Sequence, residues 1–132
     1  MQNKFVKSFM ICLGLLFVLS ACAGLQQQVL VGSIGGAKTI AMEASSFKFT
    51  PNNIKASQGH ELTIKITNVS DVGHDFTMKD PLGQIIKSVA LPSKQTVEIK
   101  ITLSEAGEYD FYCDKPFHSS FGMKGQVEVV KK

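Results

Sequence analysis

The chain has 132 residues, enough for one domain but short for two. It is 44% hydrophobic and 19% charged, contains no Trp and no Arg, and has a formal net charge of +3. Its lysines form no basic run apart from the pair that ends the chain, so composition gives no sign of a nucleic-acid-binding surface. Two of the 14 lysines, Lys4 and Lys7, lie in a predicted export signal, and without them the net charge falls to about +1.

Residues 1–21 have the order of an export signal: a basic start, an apolar core over residues 9–19, and small residues before Cys22. The apolar core is too short to span a bilayer comfortably. The tetrapeptide Leu-Ser-Ala-Cys at 19–22 resembles a bacterial lipobox, whose Cys receives a diacylglycerol and becomes the first residue after cleavage. We therefore expect Cys22 to be lipidated, the alternatives being an uncleaved anchor or ordinary secretion with an idle Cys.

A lipidated Cys22 would anchor the protein on the extracytoplasmic side of a bacterial membrane, because each buried methylene contributes about 0.8 kcal/mol. In a cell with two membranes, Ala23 in place of Asp indicates the outer membrane, facing the periplasm. Residues 22–38 are rich in Gln and Gly and are predicted to be a flexible tether, with a possible edge strand at 29–31.

Residues 39–132 are predicted to form the folded domain, and their pattern is β throughout. Apolar and polar residues alternate with a period of two, as expected for strands with one buried face. Short turn-forming stretches rich in Pro, Gly, Asn and Asp separate these runs. We expect an all-β, two-sheet Greek-key sandwich of about eight antiparallel strands. Nine ranges are predicted, and the second and third of them can also be one interrupted strand. The ranges are 39–43, 47–50, 53–56, 61–68, 75–79, 84–90, 95–103, 107–113 and 124–130.

The stretch 112–123 contains a thiol, an imidazole and a thioether: Cys113, His118 and Met123 are separated by four residues each. A thiolate, a neutral nitrogen and a weak, distant sulfur suit copper, because copper cycles between a soft Cu(I) and a harder Cu(II). Such a set needs a second nitrogen. His74 is the natural candidate, since it follows the strand at 61–68 and a sandwich can bring two loops together at one end.

Each of these residues also has an ordinary interpretation. Cys113 suits a buried structural thiol, and Met123 suits the core. Met78 competes with Met123 as a weak sulfur ligand, although strand alternation favours its burial. His60, beside a glycine at a predicted turn, is interpreted as a solvated residue.

Three stretches carry a family resemblance: Phe47-x-Phe49-x-Pro51 with Ile54 and Gly59, Asn68 followed by His74-Asp75-Phe76, and Tyr109-x-Phe111-Tyr112-Cys113-x4-His118-x4-Met123-Lys124-Gly125-x-Val127. Over residues 40–130 the chain resembles small bacterial blue-copper proteins, cupredoxins of the plastocyanin, auracyanin and azurin kind. One early His followed by Cys, His and Met near the C-terminus is the specific part of that pattern.

The resemblance implies that His74, Cys113 and His118 bind one copper ion in a trigonal plane, with Met123 as a long axial ligand. It also implies a carrier of single electrons and not an enzyme. Asp75 is a candidate to accept backbone N–H groups from the Cys113 loop and so to lock the two ligand loops together, or else it is a surface acid.

One position departs from the family pattern. Many relatives have Pro-Gly-His where this chain has Pro116-Phe117-His118, so the turn before His118 is in question. An exposed Phe117 would enlarge an apolar patch with Pro116 and Phe121 around the His118 edge, and Met78 is a further candidate for this patch. Such a patch suits transient docking of a redox donor or acceptor, namely a cytochrome, oxidase or reductase, by a monomeric carrier.

Two other function classes compete with the carrier. An envelope copper-handling protein, whether chaperone, store or sensor, usually has exposed Met- and His-rich tracts, which this chain lacks. A multicopper enzyme needs several further histidines, and only His60 remains. A dinuclear copper site needs a second Cys in the ligand loop, where Cys113 stands alone.

Overall fold

The computed structural model describes residues 28–30 and 38–131 of the chain, which here form ten β-strands and no helix. Within these described residues, no helix is long and apolar enough to cross a membrane. The export signal and lipidation of Cys22 lie outside the described residues, as does most of the tether. The strands are β1 (Gln28–Leu30), β2 (Lys38–Ser45), β3 (Lys48–Thr50), β4 (Asn53–Ser57), β5 (Glu61–Asn68), β6 (His74–Lys79), β7 (Ile85–Leu91), β8 (Thr96–Thr102), β9 (Gly107–Tyr112) and β10 (Lys124–Val130).

The strands form two sheets, which confirms the predicted all-β sandwich. The larger sheet has the order β1-β4-β10-β9-β6-β7 and the smaller one β3-β2-β5-β8. Pairing is mixed, because β1 with β4, β4 with β10, and β2 with β5 run parallel, whereas only antiparallel strands were expected. A tight turn cannot join two parallel neighbouring strands. Between the two strands of each parallel pair, the chain therefore contributes at least one strand to the opposite sheet.

The sequence pattern located each predicted strand to within about two residues. The second and third predicted strands are separate, because β3 pairs with β2 in the smaller sheet and β4 pairs with β10 in the larger one. The short edge strand predicted at 29–31 corresponds to β1, which lies at the edge of the larger sheet beside β4.

The core lies between the sheets, and a cluster of aromatic rings occupies its centre. Phe49 from the smaller sheet contacts Phe76 and Phe111 from the larger one edge to face, with ring centroids 5.8 and 5.6 Å apart. Met78 is fully buried in this core. It therefore does not contribute to an exposed docking patch, because the alternation of β6 turns its side chain inward.

Antiparallel pairing brings the candidate ligands to one end of the larger sheet. Thr77 pairs with Tyr112, so the start of β6 and the end of β9 lie side by side. Lys124 also pairs with Tyr112, so residues 113–123 connect β9 and β10 at this same end. His74 opens β6, and the other three candidates lie on the 113–123 connection.

Candidate metal centre

Three of the four predicted ligands present their donor atoms to one another. Nδ1 of His74 lies 3.2 Å from Nδ1 of His118, which lies 3.4 Å from Sγ of Cys113, and the three donor atoms all lie within 4.8 Å of each other. His74 and Cys113 are buried, and His118 is half-buried. Imidazole nitrogens and thiolates bind a first-row ion at about 2.0–2.3 Å, so donors 3.2 to 3.4 Å apart can share one ion.

Hydrogen bonds determine which nitrogen of His74 faces the group. Ser70 Oγ lies 2.9 Å from His74 Nε2, and also 2.7 Å from Asn68 Oδ1 and 2.8 Å from the carbonyl of Val72. The last two atoms only accept, so the single hydroxyl proton goes to one of them and Ser70 accepts the proton of His74 Nε2. The Nδ1 lone pair of His74 is therefore free to bind a metal.

Asn68 holds the loop that carries Ser70. Its side chain is fully buried at the end of β5. Its Nδ2 donates to the carbonyls of Val72 and Leu91 at 2.8 and 2.9 Å, and its Oδ1 accepts from the backbone N–H of Ser70 at 3.0 Å. Asn68 thereby joins the loop before His74 to the end of β7.

Sequence reasoning treated Asn68 only as part of a family motif and missed Ser70. A signal for Asn68 was available, because residues 62, 64 and 66 of β5 point inward and 68 continues that series. An amide at an inward position must find hydrogen-bond partners, so it marks a specific polar structure. Nothing in the sequence distinguishes Ser70 from other loop serines.

The electrostatics of the site favour neutral imidazole at His74. Burial, and then the neighbouring positive charges of His118 and Lys115, lower the pKa of His74 below its ordinary value, against a smaller opposing effect of Asp75. Burial and the neighbouring Asp114 raise the pKa of Asp75, while Lys115 opposes this shift. A neutral His74 can offer Nδ1 to a metal without first losing a proton.

Asp75 does connect the two ligand loops, but through different atoms from those expected. Its backbone N–H donates to Sγ of Cys113 at 3.4 Å. Its carboxylate lies 3.5 Å from Nζ of Lys115, and no backbone N–H of the Cys113 loop donates to it among the described residues. Strand geometry explains the correction, because the side chain of Asp75 points away from the core while its N–H points along the sheet toward β9.

Backbone hydrogen bonds join the three predicted ligands in the connection between β9 and β10. The N–H of Cys113 donates to the carbonyl of Met123, and the N–H of Met123 donates to the carbonyl of His118, both at 3.0 Å. Met123 is fully buried. Its position therefore fits both interpretations of its side chain, an axial ligand and a core residue.

Phe117 keeps a backbone conformation that suits glycine. Its φ is +67°, in the left-handed region, where a residue without Cβ is unstrained. The left-handed conformation at this position explains why many relatives have Gly before the second His. Phe117 adopts the same conformation although it has a Cβ. Its side chain is 73% exposed and that of Phe121 is 68% exposed, and with exposed Pro116 they form an apolar surface next to His118.

Phe47 is a neighbour of the site that the sequence pattern did not reveal. It lies in the turn between β2 and β3, although it was predicted to start a strand. Its ring contacts that of His118 edge to face, with centroids 5.1 Å apart. Its φ of +57° turns the side chain out of the strand alternation, so periodicity could not place it.

His60 is not part of the metal-binding group. It lies in the turn between β4 and β5, and it is half-buried, not solvated. Its Nε2 is enclosed and has no hydrogen-bond partner in the described part of the chain. His60 therefore lies in a turn, as predicted, but it is less exposed to solvent than predicted.

Residues 9–129 match the family model of the cupredoxin-like domain. The chain belongs to the cupredoxin family. It is similar to the plastocyanin of Solanum crispum, with 29% identity over 110 residues that cover 77% of this chain and 98% of that one. It is also similar to the chloroplastic plastocyanin of Silene latifolia subsp. alba, with 25% identity over 133 residues that cover 94% and 76%.

Solved structures share the cupredoxin fold. The reduced auracyanin of Roseiflexus castenholzii superimposes with a TM-score of 0.63 at 20% identity, covering 72% of this chain and 99% of that one. Auracyanin A of Chloroflexus aurantiacus, a blue copper protein, gives a TM-score of 0.62 at 23% identity, covering 72% and 100%. The group formed by His74, Cys113 and His118, with Met123 beside it, is compatible with one copper ion.

Proposed function

We propose that this cupredoxin is a type 1 copper protein that takes one electron from a reduced donor protein and passes it to an oxidised acceptor protein. The observation that carries the proposal is the convergence of His74 Nδ1, His118 Nδ1 and Cys113 Sγ at one end of the sandwich. Two imidazoles and one thiolate around a single point are the donor set of a mononuclear electron-transfer copper site.

In this proposal His74, Cys113 and His118 would hold the ion, and Met123 would be a fourth, weaker ligand. Copper, when bound, supplies the change between Cu(II) and Cu(I). The chain supplies a site that need not rearrange, because Ser70 orients His74 and backbone hydrogen bonds join the other three ligands. A fixed site suits an electron carrier, since little structure has to move when the charge changes.

The direct test is to add Cu(II) to the full chain and to record visible and EPR spectra. We expect an intense thiolate-to-copper band that is absent from Cys113→Ser and altered in His74→Gln. His60→Gln is the matched control, because it removes a histidine outside the group. A colourless wild-type protein, or an unchanged band in Cys113→Ser, would contradict the proposal.

Burial of the ligands supports a carrier over a copper-handling protein. His74, Cys113 and Met123 are buried, so only His118 is open to an incoming ligand. Copper chaperones need exchangeable ligands, and ligand exchange at a closed site is slow. Voltammetry separates the two functions: a carrier gives a reversible one-electron wave and retains its copper, whereas a chaperone gives the copper up to a competing apo-protein.

The exposed surface of Pro116, Phe117 and Phe121 supports docking of a cytochrome, an oxidase or a reductase beside His118. A small apolar patch favours weak binding and rapid release, which a shuttle requires. If this surface is the docking site, Phe117→Ser slows electron exchange with a cytochrome, and an equal change far from the site, Leu82→Ser, does not. Leu82 is the matched residue because it is also highly exposed.

We further propose that residues 1–21 are a lipoprotein signal, that residues 22–38 tether the domain, and that Cys22 anchors the monomeric carrier to the extracytoplasmic side of the membrane. The order of the basic, apolar and small residues before Cys22 supports this proposal. In cells, Cys22→Ser should move the protein from the membrane fraction to the soluble fraction and prevent incorporation of labelled fatty acid. Retention of the label by Cys22→Ser would contradict lipidation at this residue.

A further inference from the structure

The two histidines of the site are held in different ways. His74 has both ring nitrogens engaged, since Nε2 meets Ser70 and Nδ1 faces the other donors. For His118 only Nδ1 is engaged, and within the described residues Nε2 has no hydrogen-bond partner. A ligand histidine usually has its second nitrogen fixed by a hydrogen bond, which sets the orientation of the ring. Within the described part of the chain, no second hydrogen bond fixes the orientation of the His118 ring.

Phe47 is placed to supply that restraint. Its ring meets the imidazole of His118 edge to face, with centroids 5.1 Å apart and an angle of 78° between the ring planes. Phe121 contacts the ring of Phe47, with centroids 5.2 Å apart and an angle of 62° between the ring planes. Edge-to-face contacts of this kind have a preferred geometry, so they restrict rotation of both rings.

Phe47 reaches His118 from the opposite sheet. It lies between β2 and β3 of the smaller sheet, whereas His118 lies in the connection between β9 and β10 of the larger one. The backbone carbonyl of Phe47 also lies close to Gly122, where an added Cβ would sit 3.6 Å from the oxygen. The turn thus packs across the open end of the sandwich onto the ligand loop.

The conformation of Phe47 also indicates a specific role. A bulky residue with φ of +57° is strained, and its side chain is 42% exposed, so burial in the core does not compensate for that strain. The contacts with His118 and Phe121 are the interactions that this placement makes possible.

We propose that Phe47 is a positioning residue for His118. It keeps Nδ1 of this half-buried imidazole directed at Cys113 and His74, as Ser70 does for Nδ1 of His74. The spectroscopic consequences of this inference rest on the proposed copper site. The expected effect of Phe47 on the mobility of the His118 ring applies to the metal-free protein as well.

The test compares Phe47→Leu, Phe47→Tyr and Phe117→Leu in the full chain. Phe117 is the matched control, because it is an exposed phenylalanine with positive φ beside the same histidine. In the metal-free protein, NMR relaxation should show greater mobility of the His118 ring in Phe47→Leu only. In the copper-loaded protein, Phe47→Leu should lose copper to a chelator about two- to tenfold faster and change the EPR spectrum and the reduction potential. Phe47→Tyr, which keeps an aromatic ring at this position, should match the wild type in all of these properties.

The proposal is overturned if Phe47→Leu lowers only the Tm and matches Phe117→Leu in ring mobility, copper loss and spectra, because Phe47 would then act through packing alone. If Phe47→Leu does not fold, Phe47→Met retains the bulk of the side chain and is measured in its place. Wild-type protein that binds no copper would refute the proposed function, and the relaxation measurement on the metal-free variants would still decide the role of Phe47.

Discussion

The hydroxyl of Ser70 accepts the Nε2 proton of His74 at 2.9 Å, and this contact determines that Nδ1 faces the copper site. Ser70 is itself held by the buried side chain of Asn68, which accepts from its backbone N–H. The orientation of one metal ligand therefore depends on a hydrogen-bonded loop that begins six residues earlier in the chain.

Ser70→Ala should weaken copper binding by about tenfold to a hundredfold, because it removes the acceptor that orients His74. Competition with a chelator of known affinity measures the change. Ser93→Ala is the control, since Ser93 donates to the carbonyl of Ser70 and supports the same loop without touching His74. Equal losses in the two variants would show that loop support, and not ring orientation, matters.

Met123→Leu should raise the reduction potential by on the order of tens of millivolts, because loss of a sulfur donor disfavours the more highly charged Cu(II). The swap nearly conserves volume, so stability should change by less than about 1.5 kcal/mol. Met78→Leu makes the same change at another fully buried Met and should leave the potential unaltered. Voltammetry of both variants decides which methionine is the axial ligand, and a shift in Met78→Leu alone would reverse the assignment.

Phe117→Gly should raise the free energy of unfolding by about 0.5–1 kcal/mol, since the strain of the left-handed conformation exceeds the entropy that glycine loses on folding. Phe121→Gly should instead lower it, because Phe121 has no positive φ and contacts Phe47. Thermal unfolding measures both. A loss of stability in Phe117→Gly as large as that in Phe121→Gly would mean that the Phe117 ring stabilises the loop by packing.

Gly125→Ala should destabilise the fold by about 1–3 kcal/mol. A Cβ at this position would overlap the carbonyl oxygen of Asn52 and the ring of Phe111, neither of which can move freely inside the sandwich. Gly73→Ala is the control, because its Cβ would meet only the carbonyl of Leu91 at an ordinary distance of 3.8 Å. Chemical denaturation compares the two, and equal stabilities would show that β10 can shift to accommodate the methyl group.

The sequence alone was sufficient to predict the positions of the strands and the candidate ligands on the connection between β9 and β10, because both follow from local rules. Burial of one face imposes the period of two, and this pattern located the strands and would have identified Asn68 as an inward-facing amide. Four residues separate Cys113 from His118 and four more separate His118 from Met123. This spacing indicated a soft-metal loop, since chain connectivity keeps those residues close.

The tertiary structure decided what depends on contacts between distant segments. Parallel pairing, the hydrogen bond from His74 to Ser70 and the donation from the Asp75 N–H to Cys113 all arise from packing of segments that no local pattern encodes. The positive φ values of Phe47 and Phe117 belong to the same class, because tertiary contacts maintain a conformation that the residues themselves disfavour. The sequence thus predicted the candidate copper ligands, and the packing of the two sheets determined how each of them is held.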